Sequence, residues 1–228
     1  MRGIASPRFA LQSTPVNEEL SDQPTGRVIE TVDEVYRTFQ SRAPLVIEGC
    51  PCCIITRGTD ILLTTPLRQI TGQALWRYVS GAFLTVGDTK DFRYLLPRIL
   101  EVSVSDPANV NDPEIVLGKL SLAKWRSWAA NEQLVIEAFI DAWFDHAIVS
   151  DLAGVEEGWV GSEGERVLCG AARAGLPLDR QLLRLAEPDA APVLTNMQEQ
   201  FPSKPSGFWA DASSAFGKVR SFLDQTRA

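Results

Sequence analysis

The chain has 228 residues, 45% of them hydrophobic and 22% charged, with 29 acidic against 22 basic side chains and a formal charge of −7. That length and apolar content suffice for a real core in one large domain or two small ones. The acidic balance, with no dense cluster of Lys and Arg, argues against nucleic-acid binding. No run approaches the roughly 18 apolar residues of a membrane span.

The N-terminal stretch MRGIASPRFALQSTPV has two arginines, no acid and prolines at Pro7 and Pro15. It has no continuous apolar segment of the secretory kind, so a disordered lead-in over residues 1–26 is expected, with the cytosol as the compartment. Residues 27–228 are expected to form a single mainly helical domain, with a looser C-terminal half from about residue 151. In TVDEVYRTFQS, Thr31 and Glu34 stand at capping-box spacing ahead of Val35, Tyr36 and Phe39 on one face. The next stretch has strand character: PLVIE and DILLTT flank the cysteines, and RGTD reads as a turn. A small β-hairpin or knuckle around residues 45–64 is therefore expected.

Helices resume after it. Thr71 can cap a helix carrying Leu75, Tyr78, Val79, Ala82 and Phe83. Gly87 suits a left-handed stop, and Asp88 can cap a helix presenting Phe92, Leu95, Leu96, Ile99 and Val102. Pro97 lies inside that helix and predicts a kink there or a break at Leu96. Pro113 suits a first helical turn, and Asn131 can cap the longest pattern, which places Val135, Phe139, Ala142, Trp143 and His146 on one face. Ser162 and Glu165 form a second capping-box pair, ahead of a helix closed by Gly175. A last helix falls over SSAFGKVRSFLDQT. The expected fold class is all-α, with irregularly stacked antiparallel helices and the small β insertion.

Three of the four cysteines lie in Cys50-Pro51-Cys52-Cys53. Cys50 and Cys53 have the spacing at which two thiolates reach one zinc from a tight turn. A structural zinc needs four ligands, and the remaining candidates are Cys52, Cys169, His146 or a carboxylate. The readings are thus one structural zinc, thiol redox chemistry, or no cofactor and reduced thiols packed as small hydrophobes. Redox catalysis is disfavoured by the strand-like IITRGTD that follows, where a reactive thiol usually meets a helix N-terminus. Cys169 falls on an apolar helical face and reads as a core residue.

Complete catalytic signatures are lacking. His146 is the only histidine, and VGSEG fails the nucleophile-elbow frame because Val160 stands where glycine is required. Asp88, Asp91, Arg93 and Arg98 read as caps and solvated charges of one helix. KWRSW sets Trp125 and Trp128 beside Arg126, residue types that anchor protein interfaces and equally mark packing between helices.

The segments CPCC, TTPLRQIT, TVGDTKDFRYLLPRILE and KWRSW together resemble a group of uncharacterised bacterial proteins over about Cys50 to Trp143. The resemblance implies a bacterial cytosolic protein and transfers no activity or catalytic residue. The expected function is that of a non-enzymatic accessory protein acting through a protein partner. Its acidic charge suits a basic partner, as in an inhibitor or immunity role against a cationic toxin. Trp125, Arg126 and Trp128 are the candidate contact residues.

Overall fold

A computed structural model describes residues 25–52, 54–106 and 112–227, with the Thr56 side chain excepted. The fold is all-α, and among the described residues there is no strand. The expected lead-in falls almost wholly on residues 1–24, outside the described residues.

The first helix, α1 (Gly26–Thr38), buries Val28, Val32 and Val35 at the 3–4-residue spacing of one helical face. It begins five residues before Thr31. The Thr31 hydroxyl therefore lies mid-helix and donates back to the carbonyls of Arg27 and Val28 rather than capping an end.

The expected β-hairpin over residues 45–64 is not formed. Two short helices stand in its place, α2 (Ile54–Arg57) and α3 (Thr59–Thr64), joined through Gly58 at φ +65°. The β-branched residues Ile54, Ile55, Thr56, Thr59, Ile61, Thr64 and Thr65 favour strand locally. Burying Leu62 against α4 (Gly72–Gly81) requires helical spacing instead, and packing overrides the local preference.

The Thr71 hydroxyl caps α4 by accepting from Ala74 N at 3.3 Å. Gly87 takes φ +69°, and a Cβ there would lie 2.6 Å from the Tyr78 hydroxyl oxygen, so the stop needs glycine twice over. Asp88 then caps α5 (Thr89–Ser105), accepting from Lys90 N and Asp91 N, while the Asp91 carboxylate accepts from Asp88 N. This reciprocal pairing is the expected start. Of the two expected outcomes at Pro97, the break at Leu96 does not occur, and the helix is continuous through Pro97. Leu95, Leu96, Ile99 and Leu100 are all fully buried around that position, and this packing outweighs the loss of one amide donor.

The second half is organised by α6 (Pro113–Leu122), α7 (Ala130–Leu152) and α8 (Glu163–Arg173). The α6 and α8 backbones approach closely at Gly170, where a Cβ would sit 2.6 Å from the Pro113 carbonyl oxygen. The start of α7 is set by Glu132, whose carboxylate accepts from Ala129 N, and not by Asn131, which lies inside the first turn. Then follow α9 (Asp179–Leu185), α10 (Ala191–Gln200) and α11 (Ser213–Gln225). One apolar cluster runs from Val28 to Leu223 and includes residues on both sides of position 151. An aromatic group of Phe201, Trp209 and Phe216, with ring centroids 4.9 to 5.9 Å apart, anchors α11.

Candidate interaction groove

A concavity of about 740 Å³ lies between the extended segment 44–50 and the loop and helix start at 83–91. Two backbone bonds hold its walls together: Gly87 N donates to Glu48 O at 2.7 Å, and Cys50 N donates to Thr85 O at 2.8 Å. At this crossing a Cβ on Gly49 would meet Thr85 O at 2.8 Å and Ile54 Cδ1 at 2.7 Å, so only glycine permits the approach. The loop is further pinned by Arg57 of α2, which donates to Arg77 O, Ser80 Oγ and Thr85 Oγ1. Lys119 of α6 is buried and donates to Ala82 O at 3.1 Å. Burial pulls its pKa below the usual lysine range, with the charges of Arg173 and Arg57 acting in the same direction. Phe83 adopts φ +64° and packs edge-on against Phe92 at 5.1 Å, which seats the loop on α5.

The walls so fixed carry apolar side chains into solvent. Leu45 is 100% exposed, Val46 60% and Leu84 69%, and all three line the groove. Ile55, on the short helix α2, is 86% exposed. Glu48, Asp88, Lys90 and Asp91 are the charged residues of the lining. Burial raises the Asp91 carboxyl above its ordinary range, opposed by its bond to the Asp88 amide and reinforced by the negative charges of Asp88 and Glu48.

Trp125 and Trp128, which the sequence leaves between a partner surface and packing between helices, are built into the core at 1% and 8% exposure. The Trp125 indole N–H donates to Ala174 O at 2.8 Å, and Trp128 meets Phe39 edge-on at 5.7 Å. Arg126 stacks over the Trp125 ring at 4.1 Å and pairs with Glu137. This trio therefore packs against other parts of the fold, with both indole rings in the core. Arg93 and Arg98 are likewise paired, with Glu132 and Glu101.

The cysteines divide into two environments. Cys50 is half-buried at the groove edge, and Cys52 is exposed beside it, their Sγ atoms 2.8 Å apart. Cys53 lies outside the described residues. The turn leads into helix α2 rather than into the expected strand, and Ile54 N donates to Cys50 O at 2.9 Å. Cys169 is buried in α8, and burial pushes its thiol up to about 12. His146 is buried in α7, on the same side as Phe139 and Trp143. Among the described residues, no three His, Cys, Asp or Glu side chains are grouped to hold a metal ion. Cys50, Cys52, His146 and Cys169 are thus not gathered into one ligand set.

One structural carboxylate escapes sequence reasoning. Asp151, near the end of α7, accepts from Glu163 N at 2.7 Å and Gly164 N at 2.8 Å, capping α8 from outside. Ser162, expected in that role, makes no capping bond, and Glu165 accepts from the Trp209 indole. Burial raises the Asp151 carboxyl to about 6 against the pull of these two amides, with the charges of Glu163 and Glu165 adding to the rise. A cap supplied from another helix leaves no local spacing to read.

Among the described residues, no helix is long and apolar enough to cross a membrane. Comparison of the chain with protein-family models, curated proteins and solved structures gives no match in any of the three.

Proposed function

We propose that the protein works by binding another protein, and that the groove between residues 44–50 and 83–91 is where it does so. The observation that carries this reading is the exposure of Leu45, Val46 and Leu84 on walls held rigid by backbone bonds and by Arg57. Apolar side chains held out into water on a fixed frame gain free energy only when something covers them. A rigid frame also lowers the ordering cost of binding.

The occupant is a segment with apolar side chains flanked by Lys or Arg. Glu48 and Asp88 stand exposed at the groove against the single cation Lys90, and the chain as a whole carries −7. Such a field attracts cations and repels acidic competitors, which supplies on-rate and selectivity while the apolar contacts supply affinity. This is the chemistry by which an inhibitor or immunity-type protein holds a cationic toxin.

The test is a peptide array probed with the full chain and with Leu45→Ser and Leu84→Ser variants. Selected peptides should combine apolar and basic residues, weaken as salt rises, and lose about tenfold or more in affinity in each variant. That loss corresponds to about 1.4 kcal/mol per truncated contact. Selection of acidic or purely polar peptides, or binding indifferent to both variants, would sink the proposal.

A further inference from the structure

We propose that Asp91 is the residue of the groove that receives the cation of the bound segment, a Lys ammonium or an Arg guanidinium seated against Asp91 between Asp88 and Glu48. This rests on the reading of the groove as a peptide site, and it names the contact that selects the basic residue.

The argument starts from an imbalance of charge. Asp91 is 5% exposed, and it lines the groove. One carboxylate oxygen, Oδ2, accepts from Asp88 N at 3.1 Å, and Oδ1 has no hydrogen-bond partner among the described residues. Elsewhere the inward-lying carboxylates are matched by cations: Glu132 pairs with Arg93, Glu101 with Arg98 and Glu114 with Arg166. Among the described residues, none of Glu48, Asp88 and Asp91 forms a salt bridge. A carboxylate largely withdrawn from water, with an unused acceptor and no paired cation, is costly to keep ionised, and a cation brought by another chain offsets that cost. Glu48 and Asp88, exposed at the rim, steer the cation inward, and Asp91 beneath them holds it more firmly because less water screens it.

The surroundings of Asp91 point the same way. Burial raises its carboxyl above the ordinary range; the Asp88 amide opposes this, the charges of Asp88 and Glu48 add to it, and Lys90 opposes it from the same helix start. From α4 comes Tyr78, whose hydroxyl is buried and without a partner among the described residues. That hydroxyl lies against Gly87, where a Cβ would be 2.6 Å away, and burial together with the charges of Asp91 and Asp88 keeps its proton in place. Asp91 therefore faces two negative groups, one positive group and one neutral hydroxyl. Leu45, Val46 and Leu84 line the same groove, so one short segment can cover them while its cation reaches Asp91. A cation binds the ionised carboxylate and not the acid. Affinity should fall as protonation of Asp91 sets in on acidification, and by linkage a bound cation should lower the pH at which Asp91 takes up its proton.

The experiment titrates the full chain with butylguanidinium, an arginine side chain without its backbone, and with butanol as the uncharged control, reading backbone amides by proton–nitrogen correlation spectra. At neutral pH the guanidinium should shift the Asp88 and Asp91 amides saturably, butanol should not, and Asp91→Asn should bind about tenfold more weakly or worse. The variant keeps a side-chain oxygen for the Asp88 amide, so the helix start is retained. Titration of the Asp91 carboxyl carbon in the unsubstituted chain gives the answer without any variant. Its midpoint should drop in saturating butylguanidinium, by about one pH unit for each tenfold preference for the ionised form. Equal binding by Asp91→Asn, an equal response to butanol, or an Asp91 midpoint that the guanidinium leaves unmoved would overturn the inference. These readouts report on Asp91 alone, whereas the peptide array with Leu45→Ser and Leu84→Ser reports on the apolar walls, so failure of the one is distinguishable from failure of the other.

Discussion

Alanine in place of Gly170 and in place of Gly217 should move stability in opposite directions. Both glycines are interior to helices, α8 and α11, so both substitutions remove the same conformational handicap, about 1 kcal/mol in favour of alanine. At Gly217 a Cβ meets nothing within 4 Å, and the gain should appear almost undiminished. At Gly170 the Cβ would lie 2.6 Å from Pro113 O and 2.9 Å from Leu117 Cδ1, where ordinary contact begins at 3.4 Å. Relief requires α8 and α6 to part by about 0.8 Å, the difference between 3.4 and 2.6 Å, at the closest point of their packing. Overpacking of this kind costs about 1–3 kcal/mol, so Gly170→Ala should be destabilised by about 1 kcal/mol after the helical gain, and the two variants should differ by about 2 kcal/mol. Gly118, across the same interface, should fall between them, because its Cβ would press only on the flexible Arg173 side chain at 3.2 Å. Urea denaturation followed by far-UV circular dichroism, with equal slopes required for comparison, measures all three. A Gly170→Ala protein as stable as Gly217→Ala would refute the close α6–α8 approach.

Asp151→Asn should cost about 1 kcal/mol at neutral pH, because an amide cannot accept both the Glu163 and Gly164 N–H groups. The native carboxyl is raised from 3.8 to about 6, so the unfolded chain ionises first as pH rises. Stability from this group is full below pH 4 and falls away up to about pH 6, by about 3 kcal/mol. The gap between wild type and Asp151→Asn should therefore widen on acidification from pH 7 to pH 4; a gap that stays constant or narrows in urea titrations would contradict it. Trp125→Phe should lose about 1–3 kcal/mol by stranding the Ala174 carbonyl, yet leave peptide binding at the groove unaltered, and a variant that loses binding while remaining stable would return Trp125 to the interface. Arg57→Lys, which gives up the forked contacts to Arg77, Ser80 and Thr85, should speed hydrogen exchange at the Thr85 and Val86 amides about tenfold, whereas unchanged protection would show that the loop is held without it.

How much of this was legible in the chain differs from element to element. The all-α class, the Thr71 and Asp88 caps, the left-handed Gly87 and Gly175, the Pro113 start and the final helix follow from residue types within four positions of one another. Those interactions are local, so they survive translation into a fold. The buried stripe Phe92–Leu95–Leu96–Ile99–Val102 is legible for the same reason, since a helix maps spacing directly onto a face.

Where a choice depended on what lay across the core, local signals failed. The β-branched residues between Ile54 and Thr65 favour strand, and the helices there form with Leu62 buried where α3 packs on α4. Pro97 is tolerated inside α5 because its surroundings are packed, a fact no window around it records. KWRSW suits a surface or a core equally, and only the Ala174 carbonyl and the Phe39 ring decide for the core. Asp151 caps a helix that begins a dozen residues later, beyond a turn. The groove is the clearest case. PLVIE is an ordinary apolar run, and Leu84 an ordinary residue of the turn after α4. They become a shared exposed face only because Gly49 lets residues 48–50 lie directly against residues 85–87, and exposure belongs to the packed chain rather than to any stretch of it.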